Sequence, residues 1–169
     1  MKAVGNVSQP DDAGVYREVN PRDYIQFHNA QTSGTSGGNA TAGSFETLVL
    51  NTTVGSLKGA SLASNQVTLP AGTYEIRASA PTIASNQHQI RWYNTTATAT
   101  AVYGLSAYGG TTSSSSSRAF LLGRFTITSQ AVFELQHRVT TNKTGDGHGV
   151  ASSFSVSEVF GLVELWKVG

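Results

Sequence analysis

Four histidines, His28, His88, His137 and His148, are the side chains of this sequence best suited to metal binding or proton transfer. Zinc ordinarily takes at least three protein ligands at one point. His88 and His137 fall on the apolar side of two alternating segments that we expect to be neighbouring strands. We therefore interpret them as core or interface imidazoles with backbone partners, and a metal site is the alternative. The sequence predicts no bound metal and no cofactor.

The other signals for catalysis are weak. Asp146-Gly147-His148 lies among glycines, but a calcium loop needs several oxygen ligands and Asp146 stands nearly alone, so we interpret this stretch as a flexible turn. A serine, histidine and aspartate triad is assembled in space, and serine is too abundant here for the order of residues to indicate one. No Gly-x-x-x-x-Gly-Lys-Ser/Thr phosphate loop occurs. We predict that the protein is not an enzyme.

The elements that would position these side chains are β-strands. Two apolar-rich runs, Ala119–Thr128 and Ala131–Thr141, are separated only by Ser129 and Gln130. Such a short connection favours pairing of the two strands as an antiparallel hairpin. Apolar and polar side chains alternate along the second run, which predicts one buried face and one polar face. The first half of the first run is apolar on both faces, as in a strand that is covered on both sides.

Further strands are predicted along the chain, and no window has the spacing of an amphipathic helix. The predicted segments are Asp23–Ala30, Phe45–Leu50, Gln66–Leu69, Thr73–Ala80, Gln87–Tyr93, Ala99–Ala107, Val150–Val156 and Val159–Val168. The last of them is apolar on both faces, which predicts an interior position in its sheet. About ten short strands without helices indicate an all-β fold, a sandwich or a ten-stranded jelly roll.

The N-terminal segment differs in composition from the rest of the chain. Residues 1–21 are polar and contain Pro10 and Pro21, which disfavour a helix or a central strand. We interpret residues 1–21 as an arm that docks on a partner, with a frayed terminus as the alternative, and residues 22–169 as one domain.

Composition excludes several classes of protein. Charged residues make up 12% of the 169, against roughly 25% in an average protein, and the net charge is +1. The basic residues form no stripe, so nucleic acid binding is not expected. No apolar stretch is long enough to span a membrane as a helix. The chain has no cysteine and begins without a secretory signal pattern, so we expect synthesis in the cytoplasm followed by assembly into a particle.

The order of these signals resembles a known family. An early strand with Phe27 is followed by a Gly72-x-Tyr74-x-Ile76 strand after a Pro-Ala-Gly turn, and the chain closes with the run from Phe160 to Lys167. Over about residues 23–168 this is similar to the C1q/TNF-like jelly roll, in the divergent form found in phage virion proteins. The resemblance implies a ten-stranded jelly roll, a homotrimer, and a role in binding or particle architecture.

Given a trimer, the charges in mid-strand suggest an interface. Arg91, Glu134, Gln136 and Arg138 occupy polar faces of predicted strands in a charge-poor chain. Desolvated charges persist only when they are paired, so we hypothesise a ladder between subunits along the threefold axis, with Arg91 against Glu134 or Gln136. A Glu134→Ala variant should then weaken the trimer. An ordinary solvated face is the alternative.

Two functions follow from the resemblance. The first is a trimeric capsid decoration or head-fibre protein on the particle surface, whose arm binds the major capsid protein or another virion protein. The second is a receptor-binding tail-fibre tip that recognises a host surface glycan or protein. For the second, Tyr93, Tyr103 and Tyr108 could supply rings that stack on sugars, although aromatic residues on strands more often belong to the core.

Overall fold

The computed structural model describes residues 23–112 and 115–169, and these residues form strands and loops without a helix. None of them therefore belongs to a helical segment that could cross a membrane. The predicted arm, residues 1–21, lies outside the described residues. The strands in chain order are β1 (Tyr24–Gln31), β2 (Glu46–Thr47), β3 (Thr52–Gly55), β4 (Ser61–Ala63), β5 (Gln66–Leu69), β6 (Gly72–Ile83), β7 (Gln87–Asn94), β8 (Ala99–Tyr103), β9 (Ala107–Tyr108), β10 (Ser116–Ile127), β11 (Ala131–Val139) and β12 (Glu158–Lys167).

The strands pair antiparallel in two sheets that pack as a sandwich. The five-stranded sheet has the order β10-β6-β12-β1-β3. The seven-stranded sheet has the order β4-β5-β11-β7-β8, with β2 beside β11 and β9 beside β7. β12 lies between β6 and β1. The all-β fold and the interior position of the last strand are thus confirmed.

The predicted hairpin of Ala119–Thr128 and Ala131–Thr141 is wrong. β10 pairs with β6 along its whole length, from Ser116 opposite Ile83 to Ile127 opposite Gly72. β11 pairs with β7 and β5 in the other sheet. The short connection therefore crosses from one sheet to the other. The physical reason is that both strands bury apolar faces, which meet across the core: the rings of Phe125 and Phe133 lie 5.3 Å apart.

Other boundaries also differ from the prediction. Val150–Val156 is not a strand, because Ser153 and Ser155 adopt left-handed φ values of 58° and 62° that no extended segment contains. The predicted Ala99–Ala107 strand is split into β8 and β9, and only Glu46–Thr47 of Phe45–Leu50 pairs as a strand. β3 and β4 were not predicted, so the described residues form twelve strands where the sequence indicated about ten.

Aromatic rings dominate the core between the sheets. Trp92 and Phe133 stack with their centroids 5.2 Å apart, and Tyr74 stacks on Phe125 at 5.4 Å. Tyr74 belongs to the Gly72-x-Tyr74-x-Ile76 segment, whose aromatic and aliphatic side chains are both buried. The Tyr74 hydroxyl donates a hydrogen bond of 2.6 Å to the Pro70 carbonyl, and burial raises its pKa to about 12. A buried hydroxyl with a partner avoids the cost of an unpaired polar group.

Candidate functional site

The outer face of the seven-stranded sheet carries the polar residues that the sequence singled out. Arg91 on β7 lies opposite Gln136 on β11, and its Nε donates a 2.8 Å hydrogen bond to Gln136 Oε1. Its guanidinium also lies 4.1 Å from the centroid of the Phe45 ring and 4.2 Å from that of Tyr93. Arg91 is therefore held by hydrogen bonds and cation–π contacts within one chain.

Glu134 joins the same network. It accepts hydrogen bonds from Thr47 (2.7 Å), Gln66 (2.9 Å) and Gln136 (2.6 Å). Burial works to raise the pKa of Glu134, but these hydrogen bonds together hold it below its ordinary value. Arg138 lies exposed on β11, opposite Gln89. The structure thus joins Arg91, Glu134 and Gln136 within one subunit, and a ladder between subunits stays a prediction.

The three tyrosines suggested for ligand stacking lie on strands of this sheet with different exposure. Tyr93 is half-buried beneath the Arg91 guanidinium. Tyr103 on β8 lies opposite Arg91, and Tyr108 on β9 lies opposite Gln87. Their exposed fractions are 61% and 62%. Tyr103 and Tyr108 are accessible for ligand contact, whereas Tyr93 supports Arg91.

A surface that the sequence did not assign lies on the outer face of the five-stranded sheet. Its central row crosses the sheet from Leu122 on β10 through Arg77, Glu164 and Gln26 to Val54 on β3. Leu122 is 61% exposed, and Phe120 one row above is 49% exposed. We call this outer face, with Phe120, Leu122, Leu162 and Trp166 as its apolar members, the open face. The sequence did contain a signal for the open face, because the first half of the Ala119–Thr128 run is apolar on both faces. One of these faces lines the core, and the other belongs to the open face.

Paired polar groups accompany the apolar side chains of the open face. A groove of about 220 Å³ is lined by residues that include Phe120, Leu122 and Leu162. Beside it, the Arg77 guanidinium lies 5.4 Å from the centroid of the Trp166 ring. The Tyr24 hydroxyl donates a 3.0 Å hydrogen bond to Glu164. An apolar area with partnered polar groups beside it is the composition of a protein interface.

The histidines are buried as predicted, but their partners are other side chains. His88 Nδ1 and His137 Nε2 are 2.9 Å apart, and His137 Nδ1 lies 3.2 Å from His148 Nδ1. Our expectation of backbone partners for His88 and His137 was wrong, because imidazoles from β7, β11 and the following loop contact one another. His148, which we placed in a flexible turn, is buried in this contact. Among residues 23–112 and 115–169, no cluster of His, Asp and Glu has the arrangement of a metal site.

We expected no nucleophile elbow from the sequence, but one segment has its spacing. Gly34-Thr35-Ser36-Gly37-Gly38 has the Gly-x-Ser-x-Gly spacing of a nucleophile elbow. That elbow requires a turn between a strand and a helix, whereas this segment lies in a loop between β1 and β2. The Ser36 hydroxyl oxygen accepts a 3.2 Å hydrogen bond from the Ala151 amide. We therefore assign Ser36 a role in joining two loops.

Glu158 organises the exposed loop before β12. Its carboxylate accepts hydrogen bonds from the amides of Gly34 (3.2 Å), Ser152 (2.9 Å) and Ser153 (2.8 Å) and from the Ser152 hydroxyl (2.9 Å). The backbone donors, led by Ser152, lower the pKa of Glu158 to about 2. The loop presents Phe154 with 78% of its surface exposed.

A Glu158→Gln variant should loosen this loop. The amide replaces one acceptor oxygen with an NH₂ group that faces N–H donors, so hydrogen exchange at the Ser152 and Ser153 amides should become faster. A Glu164→Gln variant is the control, because its carboxylate accepts from the Tyr24 hydroxyl and not from this loop. Since the pKa of Glu158 is depressed on folding, the wild-type protection should be complete above about pH 4.5 and decline as the pH falls toward 2. Unchanged exchange in Glu158→Gln would contradict this role.

The two sheets, their order and the interior last strand define a jelly-roll sandwich of the C1q/TNF-like type. No family model and no curated protein sequence matches the chain. Among solved structures, it is similar to murine APRIL at pH 5.0, with 8% identity over 86% of this chain and 98% of that one and a TM-score of 0.54. It is also similar to the globular domain of zebrafish complement 1qA protein, with 10% identity, coverage of 88% and 98%, and a TM-score of 0.51. These similarities show the fold.

Proposed function

We propose that this chain is a non-enzymatic structural protein that assembles as a homotrimer through the open face and decorates the surface of a virion. The observation that carries the proposal is the apolar margin of the open face, where Phe120 and Leu122 protrude from the edge strand β10. Contiguous exposed apolar surface of this kind marks a protein interface. The C1q/TNF-like fold supports three copies, because the resemblance implies a trimer.

The charges of the open face fit association between identical copies. Arg77 and Glu164 are neighbours across β6 and β12, and Glu75 lies opposite Arg124 across β6 and β10. Each copy thus offers both signs next to its apolar margin, so a rotated copy meets complementary charges. A rotation that closes after three copies buries the apolar margins between subunits and leaves no copy unpaired. Charges buried in such an interface need partners, and the Glu164 carboxylate already accepts a hydrogen bond from the Tyr24 hydroxyl within its own subunit.

The virion placement rests on composition and on the N-terminal segment. A surface with few charges and no cysteine suits a particle that must persist outside the cell without disulfides, where oligomerisation supplies durability. Residues 1–21 would bind the major capsid protein or another virion protein, and the trimer would stand on the shell as a capsid decoration or head fibre.

Imaging of particles that contain the chain tests this function. Antibody labelling followed by electron microscopy should find hundreds of copies distributed over the shell, in groups of three. A few copies confined to the tail would favour the receptor-binding alternative instead. Absence of the chain from purified particles would refute both.

The alternative, a receptor-binding tail-fibre tip, is favoured by the exposure of Tyr103 and Tyr108. Exposed aromatic rings on a rigid sheet can stack on the apolar faces of sugar rings at little cost in side-chain entropy. If the protein binds host cells through these rings, the double variant Tyr103→Ala, Tyr108→Ala should lose at least tenfold in affinity for cells while keeping its oligomeric mass. Equal binding by the double variant and the wild type would refute this use of the tyrosines.

A further inference from the structure

Five side chains form a continuous chain of hydrogen bonds through the sandwich, which we call the histidine chain. It starts at the Ser117 hydroxyl on β10, which lies 2.5 Å from His88 Nε2. It continues from His88 Nδ1 to His137 Nε2 (2.9 Å) and from His137 Nδ1 to His148 Nδ1 (3.2 Å). It ends where His148 Nε2 meets Glu46 Oε1 at 3.0 Å. Ser117 belongs to the five-stranded sheet and the other strand residues to the seven-stranded sheet, so the histidine chain links the two sheets.

The carboxylate at one end fixes the direction of the hydrogen bonds when all three imidazoles are neutral. Ionised Glu46 only accepts, so His148 Nε2 carries the proton and His148 Nδ1 is an acceptor. His137 Nδ1–H must then donate to His148, which leaves His137 Nε2 to accept from His88 Nδ1–H. His88 Nε2 in turn accepts from the Ser117 hydroxyl. Every link holds one proton, and every nitrogen has a partner.

An additional proton that enters at His148, the imidazole beside Glu46, requires the chain to reverse. When His148 is protonated, both of its nitrogens donate, so His137 must present a bare Nδ1 and move its proton to Nε2. His88 must then accept at Nδ1 and donate from Nε2 to the Ser117 oxygen. A second additional proton leaves five N–H groups for four links, so two donors must face each other. A buried donor without an acceptor is destabilising, because it loses its hydrogen bonds to water and gains none in the protein.

We propose that the histidine chain is a pH-responsive element of the fold: it binds one proton by reversing its hydrogen bonds, and further protonation breaks one of the two contacts between its imidazoles. Its function would be to make the subunit acid-sensitive at a defined place, where the imidazoles of β7, β11 and the loop after β11 meet. This inference concerns the subunit itself and does not depend on the proposed virion function.

Few other charges act on the histidine chain. Glu46 on β2 is the carboxylate in contact with it, and it also accepts a hydrogen bond from the Thr41 amide. From the loop after β11, Lys143 and Asp146 form their own ion pair at 3.0 Å. Next to Ser117 on β10, Arg118 directs its guanidinium to the Ser79 hydroxyl and the Phe160 carbonyl. The proton balance is therefore set by the three imidazoles and Glu46.

The pH range follows from burial. Burial lowers the pKa of His88 to about 4. Burial also lowers the pKa of His137, and its two imidazole neighbours lower it further. For His148, burial lowers the pKa while Glu46 opposes the shift, so the first proton enters at that end. Unfolded histidines titrate near pH 6.5, so below that pH the unfolded state binds more protons, and stability falls as the pH falls from about 6.5 toward 4.

Nitrogen-15 NMR of the imidazole rings tests the reversal directly, because it distinguishes the two neutral tautomers from the charged form. At pH 8 we expect His88 and His137 as Nδ1–H tautomers and His148 as the Nε2–H tautomer. As His148 takes up its proton, His88 and His137 should change together to Nε2–H tautomers while the protein stays folded. His28 is the internal control: its Nδ1 contacts Gln26 Nε2 at 3.0 Å, outside the histidine chain, so its tautomer should not change. Fixed tautomers at His88 and His137 through the titration of His148 would overturn the proposal.

A charge-removing variant provides a second test. In Glu46→Gln the side chain can still accept from His148, but the negative charge that favours protonation is lost, so the coupled change of tautomers should move to lower pH. Glu164→Gln removes a carboxylate from the other sheet and should leave the pH midpoint of the tautomer change unaltered. Equal midpoints in Glu46→Gln and the wild type would refute the assignment of Glu46 as the end at which the proton enters.

Discussion

A Leu122→Arg variant should sediment at one third of the mass of the wild-type assembly, as a folded single subunit. Leu122 is 61% exposed in one subunit, so the substitution should change the stability of that subunit by no more than about 0.5 kcal/mol. In the trimer, the new guanidinium would be buried beside Arg77, its neighbour on β6. An unpaired buried charge next to a like charge costs several kcal/mol in each of the three interfaces. Analytical ultracentrifugation measures the mass, and circular dichroism checks the fold.

Two control variants separate the open face from the other sheet. Tyr103→Arg places the same charge at a residue that is also 61% exposed, but on the seven-stranded sheet, and should leave the trimer intact. Glu134→Ala should leave it intact as well if the open face is the interface, whereas the hypothesis of a ladder between subunits requires it to weaken the trimer. A monomeric wild type, or a trimeric Leu122→Arg variant, would contradict the proposed interface.

A Phe133→Ala variant should lose about 3–5 kcal/mol of unfolding free energy, a large share of the roughly 5–15 kcal/mol that a domain has. Phe133 is fully buried, stacks on Trp92 and contacts the Phe125 ring of the opposite sheet. Removal of the Phe133 ring leaves a cavity between the rings of Trp92 and Phe125. Denaturant unfolding at one fixed protein concentration measures the loss, because assembly makes stability concentration-dependent.

The matched control is Phe154→Ala, the same substitution at a ring that is 78% exposed. We expect it to change the unfolding free energy by no more than about 0.5 kcal/mol. A similar loss in both variants would mean that the Phe133 ring contributes little beyond its exposed counterpart, and the described core would then be wrong.

Alternation of polarity predicted β1, β6, β7 and β11, because each of these strands buries one face against the core. β12 was predicted from its apolar character on both faces, because it lies inside a sheet. Alternation could not predict what β10 pairs with. A strand that continues the same sheet and a strand that crosses to the other sheet both alternate in the same way, so the gap at Ser129 and Gln130 indicates only a short connection. The prediction of a strand at the exposed segment Val150–Val156 failed because its apolar residues mimic a strand. The hydrogen bonds that hold it to Ser33 and Ser36 come from tertiary structure.

For the candidate sites, the alternation of side chains along each strand identified which of them share a face. It could not show whether their contacts lie within one subunit or between subunits. It placed Arg91, Glu134 and Gln136 together on the polar face, and their contact within one subunit became visible only with the register of β7 and β11. It also placed His88 and His137 inside. Their connection to Ser117 and Glu46 depends on strands that are distant in the chain, which no local pattern encodes.

The interior position of β12 has a consequence for biosynthesis. Tyr24 on β1 and Glu164 on β12 are in contact although 140 residues separate them, so the central part of their sheet cannot close until almost all of the domain has left the ribosome. Until then, β1 and β6 each expose an unpaired strand edge. This edge could pair with a strand of another nascent chain that is being translated from the same mRNA. Contacts of such high sequence separation also form slowly. This sheet should therefore close only after β12 has been synthesised, and the yield of folded protein should depend on how well chaperones shield those edges.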